Sequence, residues 1–218
     1  MNSVSEPCRR ADYIISVIES VPPMLFSMKK TILSVAIILL VSGQAFGKEY
    51  PETESDFRKL PKYCLARMKG GDANYWNKKL PGIYEHIHHF CAAIHSYQHA
   101  SNMFPSNKND RQTQKHFFER VLGNISYLES HVANKNHRIF SEMYYLKAKA
   151  MVELKQTSSA IVYFEKAISV NKKYTKSYVA LARLYVKLGQ KKKAGEIVDR
   201  GLEVKPESKS LGRLKKEL

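Results

Sequence analysis

Acidic side chains are scarce in this chain: 20 Asp and Glu face 36 Lys and Arg, a formal net charge of +16. That imbalance disfavours cationic ligands and favours acidic ones, whether lipid headgroups, nucleic acid, acidic peptides or acidic glycans. Tryptophan occurs once and cysteine three times, so a disulfide-dense mini-scaffold is excluded. No glycine-rich phosphate loop, GxSxG elbow, HExxH pair or CxxC motif is present, which leaves no recognisable catalytic set. No apolar run approaches the ~20 residues that span a bilayer. Hydrophobic residues still make up 44% of the chain, enough for a globular core.

The longest apolar stretch, Ile32 to Val41, lies inside MKKTILSVAIILLVSGQAFG, residues 28–47. Lys29 and Lys30 form a positive start, and Ala45-Phe46-Gly47 is a small-x-small cleavage site. This is the pattern of a secretory signal peptide, with cleavage expected after Gly47 and an N-terminal inner-membrane anchor as the alternative. The short Lys-Lys start looks bacterial, which makes the expected destination the periplasm. Residues 1–27 carry Glu6, Asp12, Glu19 and Pro22-Pro23, which suit no targeting signal. They are expected to be an extension ahead of a true start at Met28 or Met24. Cleavage would also remove Cys8 and leave Cys64 and Cys91 in an oxidising compartment, where a disulfide between them is expected.

After residue 47, positions 48–59 read as a loose lead-in within a 48–82 segment, with a short helix over 60–69. Ile83, Ile87, Phe90, Cys91, Ile94 and Tyr97 recur at three and four, predicting a long helix over 83–103. A second long helix is predicted over 111–133 with Asp110 as its N-cap, burying Phe117, Val121, Leu122, Ile125 and Leu128. Residues 83–133 are therefore a divergent helix pair. Leu211, Leu214 and Leu218 make 207–218 an amphipathic capping helix.

Between these lies an internal repeat. Sliding the chain by 34 residues places Tyr144 on Tyr178, Ala148 on Ala182, Met151 on Tyr185 and Ala160 on Ala194. Phe164 then falls on Val198 and Ala167 on Gly201. A period of this length signals a solenoid of helix pairs. With Gly189 and Pro206 at their expected places, residues 141–206 resemble two tetratricopeptide repeats (TPRs). Lys147 and Lys172 stand where that family has Leu and Pro, and Val198 and Gly201 also depart from its pattern. The resemblance implies an all-α antiparallel helix-pair solenoid over 138–206, a scaffold without cofactor or chemistry of its own. It also implies a concave groove that grips a protein partner. The groove positions fall on Glu142, Tyr145, Lys149, Val152 and Glu153 in the first copy. In the second they fall on Lys176, Val179, Arg183, Val186 and Lys187. Lys149, Arg183 and Lys187 would partly supply a clamp for a carboxylate, so an acidic or C-terminal peptide is the expected ligand.

Residues 138–218 hold 19 basic and 8 acidic side chains, so the positive excess sits in the repeat half. Lys191-Lys192-Lys193 opens a helix, where the dipole disfavours cations, and contact with an anionic membrane surface is a further expectation. Nucleic acid is a poor partner for an exported chain. His88, His95 and His99 fall within a narrow arc of one helix, which makes them the candidate set for the alternative function, metal or haem handling. The sequon Asn124-Ile125-Ser126 carries no meaning in a bacterial host.

Overall fold

The computed structural model describes residues 50–218, and the expected extension 1–27 and signal peptide 28–47 lie outside them. Among the described residues the fold is built from ten α-helices and a 3₁₀ turn, with no strand. Three short helices come first: α1 (Glu54–Arg58), α2 (Lys62–Lys69) and α3 (Ala73–Lys79). Six longer helices follow as neighbouring pairs: α4 (Ile87–Ser101) with α5 (Lys108–His131), α6 (Ile139–Glu153) with α7 (Thr157–Val170), and α8 (Thr175–Lys187) with α9 (Lys191–Val204). The last, α10 (Lys209–Glu217), packs on α8 and α9 and buries Leu211 and Leu214, as a solenoid cap must.

The two repeat turns show how closely the copies correspond. In the second, Gly189 adopts φ +72°, and the Gln190 amide donates back to Tyr185 O at 2.9 Å. In the first, the Gln156 amide donates to Met151 O at 2.8 Å across Lys155, whose φ is +60°. Both are six-to-one bonds that close a helix over a left-handed residue. Lysine holds at Lys155 a conformation that glycine adopts more readily. Where the family's proline is replaced by Lys172, termination falls to Asn171, whose side chain accepts from the Lys173 amide at 3.1 Å.

Three local expectations are corrected. The segment 48–59 is not all loose: Thr53 and Asp56 form a reciprocal capping box that starts α1, and Phe57 is buried. The helix expected over 83–103 opens as a 3₁₀ turn, Tyr84–His86, and runs as α-helix only from Ile87 to Ser101. The cap of α5 is Asn107 rather than Asp110. Asn107 Oδ1 accepts from the Asp110 amide at 2.9 Å, while the Asp110 carboxylate accepts from the Ser106 amide and hydroxyl. Asp110 thus occupies the third helical position, where a carboxylate reaches back over the orphan donors.

Two apolar cores result. One joins Ile83, Ile87, Phe90, Phe117, Val121, Ile125 and Leu128 of the divergent pair to Phe140 and Met143 of α6. The other lies within the repeats around Phe164, Leu181, Ala182, Val198 and Leu211. Tyr145, Tyr163 and Leu122 pack against both.

Candidate functional site

Helical spacing puts Tyr145, Lys149 and Val152 on one face of α6 and Lys176, Val179, Arg183 and Lys187 on one face of α8. The two faces meet across a cavity of about 360 Å³, floored by Phe164 and Leu184, with Glu153 and Ser210 at its edges. The structure therefore gathers most of the groove positions expected from the sequence. Two stand apart: Val186 is 36% exposed outside the cavity, and Glu142 lines a neighbouring one.

The cavity is strongly cationic. Lys149 Nζ lies 4.5 Å from the Tyr97 ring centroid and 5.7 Å from that of Tyr145. Burial alone would lower its pKa, but the Tyr97 and Tyr145 phenols and Glu153 outweigh it. The net shift is upward, and Lys149 stays charged. Burial raises the Tyr145 phenol, which stays a neutral hydrogen-bonding group. None of Lys176, Arg183 and Lys187 makes a salt bridge among the described residues. Two acids of the repeats are engaged elsewhere. Glu165 takes Arg200 bidentately at 2.9 and 3.0 Å, and Asp199 takes Lys215 at 2.7 Å. Glu153 is then the one acid of the lining against Lys149, Lys176, Arg183 and Lys187, which leaves the groove net cationic.

Cys64 and Cys91 form the expected disulfide. Their Cα atoms are 5.6 Å apart, both side chains are buried, and the bond staples α2 to α4. Cys91 is therefore not a metal ligand. The three arc histidines are also not brought together as a ligand set. His88 packs on His89, with centroids 4.4 Å apart, and His95 Nε2 faces an Asp56 oxygen at 3.6 Å. His99 lies against Phe117 at 4.3 Å. Among the described residues no group of three or more His, Cys, Asp or Glu side chains is placed to hold a metal ion. The sequon asparagine is packed inward at 9% exposure. Its amide donates to Arg120 O, and its oxygen meets His89 Nδ1 at 2.9 Å.

Two features escaped the sequence reading. Lys147, the residue out of place for a repeat, is 4% exposed. It donates to Ser126 Oγ at 2.8 Å, to Tyr163 Oη at 3.0 Å and to the Glu129 carboxylate. Its departure from Leu was the available signal. The second is a cavity of about 340 Å³ where α3 meets the start of α6. Its signal was the single Trp beside Tyr75.

Residues 151–218 match the family model described as tetratricopeptide repeat. Over those residues the chain is similar to that family, and the part before them is unassigned. The match begins within α6 and continues past Pro206 through the capping helix. Tetratricopeptide repeats typically bind protein partners, and the similarity points to an interaction role for residues 151–218. No curated protein matches the chain. Among the described residues no helix is long and apolar enough to cross a membrane.

Proposed function

We propose that this chain is an exported, periplasmic TPR adaptor. It holds an acidic or C-terminal peptide segment of a protein partner in an envelope assembly and performs no chemistry of its own. The supporting observation is the cavity between α6 and α8, where Lys149, Lys176, Arg183 and Lys187 converge on apolar walls with Glu153 as the acidic neighbour. Guanidinium and ammonium groups in that setting bind carboxylates through charge-assisted hydrogen bonds. Tyr145, Val152 and Val179 supply the apolar contact that an extended peptide needs. The exposed Lys191-Lys192-Lys193 turn of α9 adds an electrostatic attraction to an anionic bilayer surface. The destination rests on the 28–47 signal pattern.

The test is fluorescence anisotropy with acidic peptides ending in a free carboxylate. Arg183→Ala with Lys187→Ala should weaken binding by roughly tenfold or more, since each lost charge-assisted contact is worth about 1.5 kcal/mol or more. Raising the salt should weaken the wild type in parallel. Unchanged affinity in the double variant would sink the groove reading. The address is checked by mass spectrometry of protein recovered from the periplasm, which should begin at Lys48.

A further inference from the structure

The second cavity lies at the same face of α6 as the first. Its walls are Tyr63 of α2, Tyr75 and Trp76 of α3, and Arg138 and Glu142 at the start of α6. The three aromatic rings form an angled set. Trp76 stands edge-on to Tyr63, with centroids 5.8 Å apart and planes at 79°, and edge-on to Tyr75 at 5.0 Å and 85°. Tyr63 is held from behind by Phe90, stacked at 6.4 Å, and by the disulfide at the next residue, Cys64. Its hydroxyl is buried and has no hydrogen-bond partner.

The two cavities share one face of α6, on which Glu142 of the second is followed three and seven residues on by Tyr145 and Lys149 of the first. Glu142, on the wall of the second, interacts electrostatically with Lys176, on the wall of the first. Tyr174, which interacts with both Tyr63 and Glu142, meets Tyr145 edge-on at 5.5 Å. Aromatic rings thus flank both cavities, Trp76 and Tyr63 at the second and Tyr145 with Tyr174 at the first.

We infer that the peptide groove extends beyond the repeats: one extended peptide lays its acidic stretch across Lys149, Arg183 and Lys187 and seats an aromatic side chain in the second cavity, against Tyr63, Tyr75 and Trp76. This rests on the groove reading above. A cation is a poor occupant, because Arg138 and Lys79 line the pocket against the single carboxylate of Glu142. The staple between Cys64 and Cys91 then has a role in binding as well as in folding, because it fixes the helix that carries Tyr63.

Trp76 is the only tryptophan in the chain, so its emission reports this pocket alone. The probes are fluorescein-labelled peptides of about ten residues, reaching about 35 Å when extended. Each is rich in Asp and Glu and carries either one Phe or Ala at that place. The full oxidised chain is titrated with anisotropy and Trp76 emission read together. The Phe peptides should bind roughly fivefold more tightly than the Ala peptides and shift Trp76 emission. Tyr75→Ala, which removes one wall of the pocket, should cost the Phe peptides about threefold to tenfold and leave the Ala peptides unchanged. Binding by anisotropy that Arg183→Ala weakens, with Trp76 silent and Phe and Ala peptides equal, overturns the extension and leaves the groove reading intact. Absence of binding by every acidic peptide overturns both. A sulfated glycan that matches the Phe peptides in affinity and in Trp76 response overturns the peptide as occupant.

Discussion

Replacing Lys147 by leucine would restore the residue that the repeat family places there, yet it should destabilise the fold. The Lys147 ammonium is almost wholly enclosed, with its side chain 5% exposed and that of Glu129 19% exposed. Around it stand a hydroxyl from α5 (Ser126), a carboxylate from α5 (Glu129) and a phenol from α7 (Tyr163). Leucine gains apolar burial but removes the partner of a largely desolvated carboxylate. Breaking a buried pair from one side costs about 3–5 kcal/mol. Glu129 retains some water and a weak contact from Tyr163 Oη at 3.4 Å, so the lower end applies, about 3 kcal/mol. The double variant Lys147→Leu with Glu129→Gln leaves no unpaired charge, and its stability should return to within about 1 kcal/mol of wild type. Urea titration of the oxidised chain by far-ultraviolet circular dichroism gives both numbers. At a few degrees per kcal/mol for a domain of this size, the single variant should melt about 6–12 °C below wild type. A single variant as stable as wild type would refute the reasoning, because Lys147 would then be only a badly chosen leucine.

The double variant Cys64→Ala with Cys91→Ala opens a loop with a separation of 27 residues and should lose about 3.5 kcal/mol on the chain-entropy account. Hydrogen exchange should show that loss first in α1 to α3 and last in the repeat core. Gly201→Ala also moves toward the family's residue, but a Cβ there would meet Leu211 Cδ1 at 2.8 Å and Tyr178 Cγ at 3.1 Å. Overpacking of about 2 kcal/mol should outweigh the roughly 1 kcal/mol gained in helix propensity, which a thermal melt will show as a net loss. Burial depresses the pKa of His88 and of His95, against the opposing pull of Asp56 on His95. Both must therefore be neutral in the fold, so stability is full above the unfolded value near 6.5 and falls as pH drops from there through their folded pKa. Melting at pH 7.5 and at 5.5 checks this, and His88→Gln with His95→Gln should flatten the difference.

Much of the repeat half was legible because its buried positions recur. Ala148, Ala160, Ala182 and Ala194 are small where helices cross, and the matched positions Tyr144 and Tyr178 are buried in both copies. A fixed period makes each repeat a check on the other, so the register of α6 and α8 follows, and with it the faces that line the groove. The disulfide was legible from a count of two in an expected oxidising compartment. What stayed hidden depends on contacts between distant segments. Tyr63, Trp76 and Glu142 share a cavity only because α2 and α3 fold back on the start of α6, and no periodicity encodes that. The histidine arc failed for the complementary reason. Helical phase brings His88, His95 and His99 to one side, and His95 and His99 lie 6.3 Å apart, but His88 packs on His89, His95 faces Asp56 and His99 lies against Phe117. Asp110 was misplaced because two capping residues lie three apart, and only the backbone decides which of them is outside the helix.

The helix α6 joins these observations. Two repeats alone bury too little of their faces to stand as a solenoid. Here Phe140 and Met143 of α6 complete the core of the divergent pair, while Ala148 and Met151 enter the core of the repeats. Between them Lys147 closes the junction onto α5 and α7. The outward side of the same helix carries Glu142 to the aromatic pocket and Tyr145 with Lys149 to the cationic cavity. One helix therefore carries the contact that stabilises the short repeat array and the surface that lengthens its groove. The two properties are coupled: a change that loosens α6 from α5, as Lys147→Leu should, must also move the two cavities relative to each other. Peptides that reach both should then lose affinity in that variant, while peptides confined to the repeat groove should not.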